Sequence, residues 1–131
     1  MTDLQALHDS THTMVMGVLN ITEDSSSDGG LWLDPAKAAQ HGRDMMAAGA
    51  DIIDIGAEST RPGAKRVAEA DELARITGAV KTLIPAGAIL SIDTTRASVA
   101  AAALSEGTQI INDVSGGTLD AELPHVVADH D

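Results

Sequence analysis

Asp51-Ile52-Ile53-Asp54-Ile55-Gly56, then a loop through Ser59-Thr60-Arg61-Pro62-Gly63, then Ala68 to Leu83, is the stretch whose reading decides the fold. Its opening residues read as a strand that ends at a glycine. From Ala68 onward Leu73, Ile76, Val80 and Leu83 fall at helical spacing, and Pro85 with Gly87 ends the run. Strand, loop and amphipathic helix within about thirty residues make one βα unit.

The same unit recurs on either side. Upstream, Met14 to Leu19 is a short apolar run closed by Asn20, and Ile21 to Leu33 is a long Ser-, Asp- and Gly-rich loop. Asp34 is placed to cap a helix with Pro35 at its first position, running to about Ala48 and stopping at Gly49. Downstream, Ala88 to Ile92 reads as a third strand, Arg96 to Ser105 as a third helix with Gly107 as its stop, and Gln109 to Val114 as a fourth strand. A Gly116-Gly117 loop follows, and Leu119 to Val127 opens a fourth helix. Residues 1–13 are polar and weakly patterned, a flexible tail. The expected fold class is α/β with a parallel sheet. A doubly wound sheet and part of a (β/α)8 TIM barrel both fit, since both put polar residues at the carboxyl ends of strands. No G-x-G-x-x-G follows any strand, which weakens the nucleotide-binding alternative.

Composition narrows the function classes. The 131 residues are 44% hydrophobic with a mean hydropathy of +0.04, which supports a packed core. One Trp and no Phe or Tyr disfavour stacking on nucleic-acid bases, and a net charge of −12 disfavours phosphate-backbone binding. The last base is Arg96, after which Glu106, Asp113, Asp120, Glu122, Asp129 and Asp131 have no basic neighbour in sequence. Without Cys there are no disulfides or thiolate metal sites, so a reducing cytoplasm is permitted. No apolar run approaches about 18 residues, so a soluble, cytoplasmic protein without membrane or nucleic-acid partners is expected.

Three constellations have chemistry to offer. Asn20 beside Asp24 and Asp28 presents hard oxygens suited to Mg²⁺ that keeps waters and a substrate phosphate; the alternative is a turn Asn before a solvated acidic loop. Arg61 among Ser59, Thr60 and Pro62 suits a phosphate or carboxylate; the alternative is a stiff surface turn. Asp93, ending the apolar strand Ile89-Leu90-Ser91-Ile92, is expected to be partly buried, and with Asn112 it could answer the N–H donors of an aminopyrimidinone ring. Its alternative is helix capping, with Thr94 and Thr95 just before the third helix. The five His (8, 12, 41, 125 and 130) show no ligand spacing and receive no role.

Together these segments resemble a known family. Met16-Gly17-Val18-Leu19-Asn20-Ile21-Thr22-Glu23-Asp24-Ser25-Ser26-Ser27-Asp28-Gly29-Gly30 and Gly49 to Gly63 are similar to the first two signatures of dihydropteroate synthases. Ser91-Ile92-Asp93-Thr94 and Ile111-Asn112-Asp113-Val114-Ser115-Gly116-Gly117 resemble the next two strand ends. The resemblance implies a TIM barrel, of which this chain carries about the first four βα units, with residues 14–131 as the N-terminal part of a pterin-binding domain. It implies joining of a dihydropterin diphosphate to p-aminobenzoate with release of diphosphate, and a homodimer in the full-length family.

By matching position Asn20 would ligate Mg²⁺. Thr60, Asp93 and Asn112 would contact the pterin, with Asp93 also stabilising its cationic form. Arg61, with Ser59 and Pro62 beside it, and the loop around Asp24 and Ser25 would order over the site. Ser26 stands where the family usually has Phe, and Ala57 where it usually has Gly. The family's Asp-Pro-Gly segment, Lys and Arg-x-His have no counterpart before Asp131, so these 131 residues alone are expected to be inactive. The alternatives are the pterin- or folate-binding domain of a methyltransferase, and a non-catalytic half-barrel fragment.

Overall fold

A computed structural model describes residues 3–9, 11–22, 34–58, 63 and 65–130. In chain order the elements are α1 (Asp3–His8), β1 (Met16–Asn20), α2 (Pro35–Ala47), β2 (Ile52–Gly56), α3 (Glu69–Leu83), β3 (Leu90–Asp93), α4 (Ala97–Ser105), β4 (Ile110–Asn112) and α5 (Leu123–Asp129). The four strands form one parallel sheet in sequential order, β1-β2-β3-β4. A parallel neighbour must be reached by a crossover, and α2, α3 and α4 are those crossovers.

Side chains alternate across the sheet, so each strand has two different faces. Leu19, Ile53, Ile55, Leu90 and Ile92 point to the helices and are at most 1% exposed. They pack against Ala38 of α2, Ile76, Ala79, Val80 and Leu83 of α3, and Val99 and Ala103 of α4. That spacing on α3 (76, 79, 80, 83) is the helical stripe legible in the sequence. Met16, Val18 and Asn20 point the other way and are exposed, as does Asn112 on β4. Among the described residues, helices therefore cover one face and leave the other open. No helix among the described residues is long and apolar enough to cross a membrane.

Local chemistry sets most boundaries. The Asp34 carboxylate accepts from Ala36 N at 2.9 Å and Pro35 follows it, so α2 begins where its cap predicts. Gly49 and Gly107 close α2 and α4 at φ of 110° and 107°, a conformation side chains disfavour.

β1 and β3 start two residues later than the sequence reading has them, at Met16 and Leu90, and three further features depart from it. The strand expected to reach Val114 stops at Asn112, because the Asp113 carboxylate accepts from Ser115 N (2.8 Å) and Gly117 N (2.9 Å) and turns the chain. The helix expected from Leu119 starts at Leu123, because Asp120 is committed elsewhere: its Oδ2 accepts from Ala97 N at 2.8 Å, the first N–H of α4. Within the expected tail, residues 3–8 form helix α1, and His12 Nε2 lies 3.3 Å from Asp51 Oδ1. The acids after Arg96 are also less isolated than their sequence suggests. Lys81 lies 3.9 Å from Glu106, and Asp113 and Asp120 satisfy backbone N–H groups.

Candidate functional site

The strand registers bring the polar strand ends together. Asn20 pairs with Gly56, Gly56 with Asp93, and Asp93 with Asn112, so these four residues form one row across the carboxyl end of the sheet. All four fall on the open face, two residues beyond Val18, Asp54, Ser91 and Ile110 of the row beneath. Gly56 keeps the row accessible. A Cβ there would sit 3.4 Å from Asp93 Oδ2 and 3.7 Å from Asn20 Oδ1, in the gap between the two groups.

Asp93 is the most perturbed group of the row. Its carboxyl is pushed from the usual 3.8 to about 6, first by burial and then by the negative charges of Asp54, Glu72, Asp113 and Glu58. No hydrogen bond among the described residues ends on its side chain, although it is only partly exposed. The capping alternative fails for Asp93. The first N–H of α4 goes to Asp120, and Arg96 N donates to Thr94 Oγ1 at 3.1 Å. A half-buried carboxylate with a raised pKa, and without a hydrogen-bond partner among the described residues, is available to a ligand.

Around it the charges are tightly spent. Glu72, 2% exposed, accepts from Arg96 Nη1 at 2.7 Å and from Thr94 Oγ1 at 2.8 Å. Arg96 Nη1 also lies 3.6 Å from Glu58, which holds Arg66 Nε at 3.0 Å and Val67 N at 3.1 Å. Arg66 Nη2 donates to Thr95 Oγ1 at 3.0 Å. This chain of contacts ties residues 94–96, just past Asp93, to the start of α3. Arg75 Nη1 donates to the carbonyls of Ile21 and Ala57, both at 3.4 Å, and so bridges the ends of β1 and β2.

Beneath the row Asp54, 7% exposed, accepts from Ser91 Oγ at 2.7 Å and from Asn112 Nδ2 at 3.4 Å. Reading the sequence assigned no role to Asp54, Ser91, Glu72 or Asp120. For Asp54 a signal existed: a carboxylate between two isoleucines of a strand must find polar partners.

Of the residues singled out in sequence, the structure brings Asn20, Asp93 and Asn112 into one row. Asp24, Ser25, Asp28, Ser59, Thr60, Arg61 and Pro62 lie outside the described residues. Among the described residues no group of three or more His, Asp or Glu side chains is arranged to hold a metal ion. Asn20 Oδ1 is one hard, neutral oxygen at the end of the row.

The chain is similar to proteins of one known family. Residues 16–131 match the family model described as "Pterin binding enzyme". The dihydropteroate synthase of Mycobacterium leprae (strain TN) is 56% identical over 115 residues, covering 88% of this chain and 40% of that protein. The crystal structure of Yersinia pestis dihydropteroate synthase in a sulfonamide drug complex superposes with a TM-score of 0.85 at 39% identity, covering 93% of this chain and 44% of that one. The Burkholderia cenocepacia dihydropteroate synthase complexed with 7,8-dihydropteroate gives a TM-score of 0.76 at 38% identity, covering 89% of this chain and 38% of that one. The chain thus spans less than half the length of these relatives.

Proposed function

The chain belongs to the pterin binding enzyme family, and from that premise we propose that residues 14–131 supply the pterin-facing wall of a dihydropteroate synthase, working in the cytoplasm as part of a homodimer. The reaction joins 7,8-dihydropterin-6-ylmethyl diphosphate to p-aminobenzoate and releases diphosphate. The observation that carries the reading is the row Asn20–Gly56–Asp93–Asn112 with a half-buried, charge-perturbed Asp93 in it.

Each residue of the row has a task. Asp93 and Asn112 meet the donors and acceptors of the aminopyrimidinone ring. As the methylene C–O bond breaks, the bonding electrons leave with diphosphate and the Asp93 carboxylate offsets the positive charge left on the pterin. The arylamine nitrogen then bonds to the methylene carbon, and its extra proton passes to water or to the departing diphosphate. Gly56 leaves room for the ring between its neighbours. Asn20 would hold Mg²⁺ through its amide oxygen, and that ion's chemistry is to neutralise the leaving diphosphate. By matching position Thr60 contacts the pterin, while Arg61 with Ser59 and Pro62, and Asp24 with Ser25, close over the substrates.

The test is a segment exchange. Residues 16–131 replace the matching segment of the Mycobacterium leprae relative, and dihydropteroate formation is measured with both substrates. Activity in the exchange, lost on Asp93→Ala, is the expected result. A folded exchange protein without activity would refute the reading.

A further inference from the structure

We propose that Asp54 is a specificity-determining positioning residue: by accepting from the Asn112 amide nitrogen it turns the amide oxygen toward the open face, so that the site selects a ligand edge that donates an N–H at that point. The inference rests on the pterin-binding reading above and adds a residue that does not itself touch the ligand.

An Asn side chain is ambiguous by itself, because its two ends differ only in hydrogen bonding and either can be turned outward. What settles its orientation is the neighbour beneath. Asn112 lies on β4 and Asp54 on β2, yet Asn112 Nδ2 reaches Asp54 Oδ1 at 3.4 Å across β3. Ser91, between them on β3 and fully buried, donates to the same oxygen at 2.7 Å. Asp54 is thus buried beside two donors and used as an acceptor by both. No described residue donates to Asn112 Oδ1, and Asn112 is exposed on the open face.

The upper row then presents two acceptors side by side, the Asp93 carboxylate and the Asn112 oxygen. The second Asn112 N–H remains for a ring nitrogen. A 2-amino group fits that pattern. A 2-oxo group in the same place would set oxygen against oxygen. If Asp54 is replaced by a group that can also donate, the Asn112 amide is free to turn over, and the site loses its reason to distinguish the two.

The probes are 6-hydroxymethylpterin and 6-hydroxymethyllumazine, which carries an oxo group in place of the 2-amino group. Dissociation constants are measured by NMR titration of the protein at pH 8, up to millimolar ligand. The protein is expected to prefer the pterin by about tenfold or more, the worth of one hydrogen bond made rather than opposed. Asp54→Asn should bring the two constants within about threefold, chiefly by admitting the lumazine. A merely structural role would weaken both ligands equally and leave their ratio unchanged, and that result overturns the inference.

Asn112→Asp supplies a second arm that leaves Asp54 itself unchanged. It presents oxygen in either orientation, so the preference for the pterin should persist even as affinity falls. Loss of the preference in Asn112→Asp means that the ligand reads the Asn112 nitrogen, which also overturns the inference. Binding of neither probe by the unaltered protein sinks the pterin reading itself and this inference with it. Binding of both without preference overturns the inference alone.

Discussion

Replacing Asp93 by Asn should make the protein more stable at neutral pH while weakening its hold on a pterin. The carboxyl of Asp93 stands at about 6 in the folded protein against 3.8 when free. The folded state therefore holds a proton that the unfolded state has already released over this interval. Stability from the protonated form is complete below pH 3.8 and is lost as pH rises through about 6. Two pKa units correspond to roughly 3 kcal/mol. Solvent reaches this half-buried group and screens its repulsion from Asp54, Glu72, Asp113 and Glu58, which reduces the figure to about 1–2 kcal/mol. Asn keeps the shape of the side chain and carries no charge at any pH. Urea unfolding at half-unit steps from pH 4 to 7.5 checks this by the difference between variant and parent. That difference should be near zero at pH 4 and reach about 1–2 kcal/mol in favour of Asn by pH 7. A difference that stays flat with pH, or an Asn variant less stable than its parent at pH 7, would refute the account of Asp93 as a group held against its own electrostatics.

Three further outcomes follow from the same contacts. Affinity for 6-hydroxymethylpterin should fall as pH drops below about 6, by at most tenfold per unit, because the protonated Asp93 ceases to be a two-oxygen acceptor; calorimetry from pH 5 to 8 reads it. Glu72→Ala should cost about 3 kcal/mol in urea unfolding, since it leaves the Arg96 guanidinium and the Thr94 hydroxyl without their shared buried partner, and Glu72→Gln should cost less. Asp120→Ala should lower the thermal midpoint by uncapping α4. Backbone N–H donors hold the Asp120 carboxyl below its usual range, so the stabilisation it gives is present above the ordinary carboxylate pKa and lost as pH falls; the gap between variant and parent should close in acid.

Much of the fold was legible because its signals are local. The Asp34–Pro35 start of α2, the glycine stops at 49 and 107 and the apolar stripe of α3 each depend on residues a turn or two apart. The failures came where a residue's partner is remote. Asp120 looks like part of a fourth helix, yet its carboxylate caps α4 across 23 positions, and that commitment delays α5 to Leu123. In sequence, Asp93 reads equally well as a ligand group or as part of a helix cap with Thr94 and Thr95. Only the contacts of Thr94 with Arg96 N and Glu72 show that Asp93 is spared.

For the site the division is similar. The sequence by itself placed Asn20, Asp93 and Asn112 at the ends of apolar strands, because a polar residue closing a buried run is visible without knowing what lies beside it. It could not place Asn20, Gly56, Asp93 and Asn112 on one line, since register is set by backbone pairing between strands far apart in the chain. Nor could it show Asp54 beneath Asn112, a contact spanning 58 positions over the intervening β3. Side-chain type is a local property, but the orientation of an amide and the pKa of a carboxylate depend on neighbours that only the assembled sheet supplies.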